Sequence, residues 1–150
     1  MKNVALLVVF TLFCANAFSQ TMEQVMDKRA REMHRVLGLA DKEQWKKFIQ
    51  ENYSKTLIEK PMKSTRKTQQ DESTSSESKE IKGTVEDKVN MFQRLHDDLL
   101  GSKIVSIKPV AENLEMVVEN SELTGTIKLK FDKNKPHLIE GMGLQLEGGR

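Results

Sequence analysis

The sequence predicts an α+β fold, with N-terminal helices packed on a four-stranded antiparallel meander sheet. Two observations carry this. Up to Leu99 the apolar residues recur at spacings of three and four, the period of a helix face. After Gly101 the spacing drops to two, the period of a strand with one buried side. Helices grouped ahead of strands argue for α+β and against alternating βαβ units. The length of 150 residues holds one domain.

Met22, Val25, Met26, Ala30, Met33, Val36 and Leu37 form the first helical stripe, and Gly38 stops it. Asp41 with Gln44 three residues on is a variant capping box that opens a second helix. Trp45, Phe48, Ile49 and Tyr53 line its apolar face. It runs toward Pro61, because a proline pushes the preceding residue out of helical geometry. Thr84 and Asp87 open a third helix, whose Val85, Val89, Phe92, Leu95 and Leu99 make the strongest stripe in the chain. Gly101 ends it, since glycine tolerates the left-handed backbone of a helix end.

The strands follow as Ile104–Lys108, then Leu114, Met116 and Val118, then Ile127, Leu129 and Phe131. In the last strand Leu138, Met142, Leu144 and Leu146 fall on one face. Asn120–Gly125 and Asp132–Pro136 are the turns. One sheet face meets the helices. The other carries Thr126, Lys128 and Lys130 and is wet. Residues 61–83 hold eight Ser or Thr and nine charged residues, with only Met62 and Ile81 as large apolar groups. Such a run cannot offset its ordering entropy, so it reads as a mobile polar insertion in a single domain over residues 20–150.

The N-terminus reads as an export signal over residues 1–19. Lys2 is the positive region, Val4–Phe13 the apolar one, and Ala15-Asn16-Ala17 the small-residue cleavage pattern, with cleavage near Ala17–Gln20. Phe13 before Cys14 is too bulky for lipid attachment. The expected location is periplasmic or secreted, with no stable membrane span after cleavage. Cys14 is the only cysteine, so the mature chain has no thiol for catalysis, metal binding or disulfides. Lys and Arg total 24 against 22 Asp and Glu. That balance lacks the basic excess of a nucleic-acid binder, and no nucleic-acid partner is expected.

Several motifs carry a family resemblance. Arg94-Leu95-His96-Asp97-Asp98-Leu99 leads into Ile104-Val105-Ser106-Ile107-Lys108, and Pro136-His137-Leu138-Ile139-Glu140-Gly141-Met142-Gly143-Leu144 follows later. Phe48-Ile49-Gln50-Glu51-Asn52-Tyr53-Ser54 precedes both. Over roughly residues 45–60 and 85–147 the chain resembles the small N-terminal accessory domain of some exported bacterial serine hydrolases, of the beta-lactamase-related and tail-specific peptidase types. That domain is similar to the cystatin/NTF2-like α+β group. The resemblance implies this fold and an accessory role. It does not imply hydrolase activity, because no Gly-x-Ser-x-Gly is present and no catalytic domain is expected in the chain.

His34, His96 and His137 are the only histidines, and no two of them have the helical spacing of metal ligands. No metal, cofactor or catalytic residue is expected. His96 reads as a helix-end histidine bonding a nearby turn. Gly141 and Gly143 bare one face of a strand, which suits close packing, a bulge or a shallow pocket. Trp45, Tyr53, His96, His137, Gly141 and Gly143 are the candidate ligand-binding residues. An isomerase of NTF2-like type would need a buried carboxylate base facing a donor such as Tyr53. The expected function is therefore an exported, non-catalytic binding or accessory module. It would take a protein partner in the cell envelope or a small apolar ligand. The alternatives are a pocket enzyme of the isomerase type and a helper of a separately encoded serine hydrolase.

Overall fold

A computed structural model describes residues 20–61 and 82–148. The segment read as an export signal and nearly all of the polar insertion lie outside these residues. The elements are α1 (Met22–Leu37), α2 (Lys42–Asn52), α3 (Lys55–Glu59), α4 (Val85–Leu99), β1 (Lys103–Val110), β2 (Asn113–Glu119), β3 (Leu123–Phe131) and β4 (Ile139–Gly148). The four strands pair antiparallel in the order β1-β2-β3-β4, the meander that the alternation predicts.

Local chemistry sets the helix ends. At α1 the Thr21 hydroxyl accepts from the Gln24 amide, and the Gln24 side chain accepts from Thr21 N. Thr84 and Asp87 make the same reciprocal box at α4. Asp41 caps α2 by accepting from the Glu43 and Gln44 amides at 3.0 and 3.2 Å. There Gln44 bonds the Asp41 carboxylate rather than its backbone. Gly38 closes α1 in right-handed geometry, with φ −69°. Gly101 takes the left-handed conformation expected of it, with φ +73°.

The expected second helix is two. Tyr53 leaves α2 in extended geometry and bridges in parallel to Ile139, while Ser54 N donates to Ile139 O at 2.9 Å. Ser54 then caps α3 through its hydroxyl. The break ties the helical layer to the edge of β4. Two further differences lie in the strands. Asn120 Oδ1 accepts from the amides of Glu122 and Leu123, which tightens the turn so that β3 starts at Leu123. In β4 the register with β3 shifts between Phe131↔Ile139 and Lys130↔Gly141, leaving Glu140 as an extra residue. Ile139 and Met142 therefore face the same side although three apart, and Leu138 falls outside the strand.

The core lies between the helices and one sheet face. Met26, Met33, Trp45, Ile49 and Phe92 meet Leu114, Met116, Ile127, Leu129, Phe131 and Ile139 there, all of them buried. The opposite face is wet as expected. Lys128 and Lys130 are exposed, and Lys128 pairs with Glu115 across the β2–β3 ladder at 3.9 Å.

The two sides of the polar insertion meet. Gly83 N donates to Glu59 O at 2.9 Å, and the buried Lys88 ammonium donates to Lys60 O at the same distance. A Cβ on Gly83 would lie 2.6 Å from Lys60 O and 2.7 Å from Ile58 O, both backbone atoms that cannot swing away. Gly83→Ala therefore destabilises the protein by about 1–3 kcal/mol, the usual cost of overpacking. Urea unfolding reads this as a lower midpoint, and an unchanged midpoint would contradict the close approach.

Candidate functional site

The six candidate binding residues occupy three separate places. Trp45 and His96 lie in the helical layer, where both bond the carbonyl end of α1. Trp45 Nε1 donates to Val36 O at 2.7 Å, and His96 Nδ1 donates to Leu37 O at 2.6 Å. Their ring centroids are 5.5 Å apart. Helix ends leave carbonyls without intrahelical partners, and here two side chains from neighbouring helices satisfy them. His96 thus bonds the end of α1, 59 residues away, rather than a nearby turn.

Tyr53 is buried among Phe48 and Phe92, with centroids 6.2 and 6.1 Å away. Its hydroxyl donates only to Met142 Sδ, at 3.5 Å, and burial pushes its acidity far below that of an ordinary phenol. Among the described residues the buried polar or charged side chains are Lys88, His96 and His137, with no Asp or Glu. None of the described residues therefore supplies the buried carboxylate base that an isomerase needs beside Tyr53. Tyr53→Phe changes stability by less than about 0.5 kcal/mol, because a sulfur acceptor at that distance contributes little. Thermal unfolding measures it, and a large loss would show that the hydroxyl matters.

Gly141 and Gly143 lie on the outward sheet face, opposite Lys130 and Lys128. Beside them a shallow groove of about 410 Å³ opens along Val110, Asn113 and Glu115. Among the described residues only those of the sheet line it. A Cβ on Gly143 would meet nothing within 4 Å.

His137 lies in the β3–β4 turn. Its backbone is left-handed, with φ +56°, and its amide donates to Asn134 O at 2.8 Å. Its Nδ1 donates to Asp132 O at 2.9 Å, which fixes the ring. His137 borders a cleft of about 730 Å³ between α1, the end of α2 and this turn. Val25, Lys28, Arg29, Asn52 and Lys135 line it as well. His96 meets α1 at its last residue, Leu37, whereas His137 shares the cleft with Arg29 in the middle of that helix. Eight residues of helix separate those positions by about 12 Å. Among the described residues no group of His, Cys, Asp and Glu could hold a metal ion.

Arg29 forms the inner wall of the cleft. Its Nη1 donates to Asn52 Oδ1 and to Glu51 O, and its Nη2 to Pro136 O at 2.9 Å. Asn52 is held for this by its own amide, which donates to Phe48 O at 2.8 Å. One side chain thus joins α1, α2 and the β3–β4 turn. The sequence reading passed over Arg29, although a signal existed. Met22, Met26, Arg29, Met33 and Val36 follow each other at spacings of three and four, so the charge interrupts a stripe that is otherwise apolar.

His34 donates to or accepts from Ser102 Oγ across 3.1 Å, and burial holds its imidazole below the usual histidine value, with the Ser102 contact opposing. The unfolded chain therefore binds a proton at His34 more readily than the folded one. Stability falls as pH drops through about 6.5, the ordinary histidine value, toward the lower folded value. Urea midpoints at pH 7.5 and 5.5 differ less in His34→Gln than in the parent. Equal differences would contradict this contribution.

Among the described residues no helix is long and apolar enough to cross a membrane. Two Ser-x-x-Lys spacings that the sequence reading passed over, Ser64–Lys67 and Ser76–Lys79, lie outside the described residues. Comparison with protein-family models, with curated proteins and with solved structures finds no match to this chain.

Proposed function

We propose that this chain is an exported, non-catalytic binding module of the cell envelope, with its ligand in the cleft between α1, the end of α2 and the β3–β4 turn. One observation carries the reading. Inside the protein Trp45 and His96 already bond the backbone of α1 and Tyr53 bonds Met142, whereas the cleft is open and bordered by side chains from three elements. Among the described residues no serine, threonine or cysteine lines it, which favours recognition over nucleophilic chemistry. Kinship with the cystatin/NTF2-like group is part of the proposal. Helices ahead of a meander, packed on one sheet face, support it. The signal-like first nineteen residues support export.

The test is a thermal-shift screen of residues 20–150 against small molecules, followed by amide chemical-shift mapping of each hit. The reading predicts a raised midpoint, perturbed amides near Arg29, Asn52 and His137, and an unaltered ligand. A chemically converted hit would overturn the non-catalytic role. Perturbations centred on Gly141 and Gly143 would overturn the cleft.

A further inference from the structure

Arg29 carries more charge than its structural bonds need. Its acceptors are the Asn52 amide oxygen and the carbonyls of Glu51 and Pro136, all of them neutral. A guanidinium has five N–H donors, and three hydrogen bonds leave two to spare. One of these is Nε, which is enclosed and has no partner. Burial lowers the affinity of Arg29 for its proton, and no acidic neighbour offsets that. The group stays cationic at neutral pH all the same. All three acceptors are neutral, so none of them balances the charge that the partly buried guanidinium carries.

The nearby acids are engaged elsewhere. Glu32 takes both Arg35 contacts, at 2.8 and 2.7 Å, and Glu51 lies 4.0 Å from Lys47. Lys28 and Lys135, also on the cleft, form no ion pair among the described residues. Lys28, Arg29 and Lys135 share the concavity with Glu32 and Glu51, so cations exceed carboxylates there by one even though Lys28 acts on Glu32, and Val25 and Pro136 add apolar wall beside them.

We infer that the cleft takes a small organic oxyanion, a carboxylate or a phosphate ester, with Arg29 as its main counter-charge and Lys28 and Lys135 at the rim. This rests on the cleft being the binding site. With both Nη1 hydrogens and one on Nη2 taken and Nε enclosed, the remaining Nη2 N–H offers either oxyanion a charge-assisted hydrogen bond. The two lysines add attraction that salt weakens.

The experiment titrates residues 20–150 with benzoate, phenyl phosphate and the neutral isostere benzamide. Amide resonances of Lys28, Arg29, Asn52 and His137 and the Arg29 side-chain Nε–H signal are followed. Saturable shifts with benzoate or phenyl phosphate, and binding of benzamide at least tenfold weaker, support the inference. The tighter of the two anions then identifies the oxyanion. The doubly substituted Lys28→Gln, Lys135→Gln protein keeps its unfolding midpoint and binds the anion three- to tenfold more weakly. Arg29→Gln loses saturable binding, and Arg29→Lys regains part of it. Since Arg29 variants can also loosen the clamp, the surface double variant keeps the test independent of folding. Benzamide binding as tight as benzoate in the cleft would overturn the oxyanion and leave the cleft standing. Shifts with none of the three probes, or shifts only elsewhere, would overturn both.

Discussion

Trp45→Ala removes about 3–5 kcal/mol of stability, the usual range for deleting a buried aromatic. Trp45 is 1 % exposed, so truncation opens a cavity in the middle of the helical layer. It also strips Val36 O of its only side-chain donor and leaves the His96 ring without its aromatic neighbour. A loss of this size is a large part of the 5–15 kcal/mol typical of a whole domain. The thermal midpoint drops by more than about 10 °C, at some 4 °C or more per kcal/mol. Trp45→Phe separates the two components. It keeps most of the ring and drops the N–H, and costs about 0.5–1.5 kcal/mol for the lost hydrogen bond, since Leu39 N still donates to Val36 O. Trp45 is the only tryptophan, so in the parent its fluorescence reports unfolding directly. A Trp45→Ala protein with the parent's midpoint, followed by circular dichroism, would show that the ring does not anchor the layer.

Phe92→Ala is comparable, at about 3–5 kcal/mol. Phe92 is fully buried at the middle of α4, and its ring centroid lies 5.9 Å from Phe48 and 6.1 Å from Tyr53. Removing it takes away the Phe48–Phe92 contact between α2 and α4 and leaves Tyr53 without one of its two ring neighbours. Phe92→Leu restores apolar volume but not the edge contacts, and recovers more than half of the loss. Denaturant midpoints of the two variants measure the difference. If Phe92→Leu is as damaged as Phe92→Ala, specific ring geometry rather than filled volume holds the helices together.

These residues were legible because burial leaves a period in the sequence. The stripe from Val85 to Leu99 marks α4, and the alternation from Leu114 to Val118 marks β2, since each needs only neighbours along the chain. The break after α2 was hidden because Tyr53 continues the apolar face of the helix while its backbone pairs with Ile139 far along the chain. The bulge at Glu140 was hidden for a related reason. A strict period of two cannot register an extra residue, so Leu138 was assigned the face that Ile139 takes.

The candidate site was less legible than the fold. Aromatic and histidine residues drew attention by type, yet Trp45 and His96 complete the carbonyl end of α1. Arg29, Lys88 and His96 share a subtler mark. Each is a polar residue on an apolar stripe, and each reaches a backbone carbonyl from another part of the chain. Only Arg29 does so at an open concavity. Its partners Asn52 and Pro136 lie 23 and 107 residues away, a distance that no local pattern spans.

The most direct measurement is a crystal structure of residues 20–150 grown with saturating benzoate at low salt. The account predicts a carboxylate beside the Arg29 guanidinium, with Lys28 or Lys135 turned toward it and the ring against Val25 and Pro136. Benzoate between the helices and the sheet, benzoate over Gly141 and Gly143, or an empty cleft at saturation would contradict it.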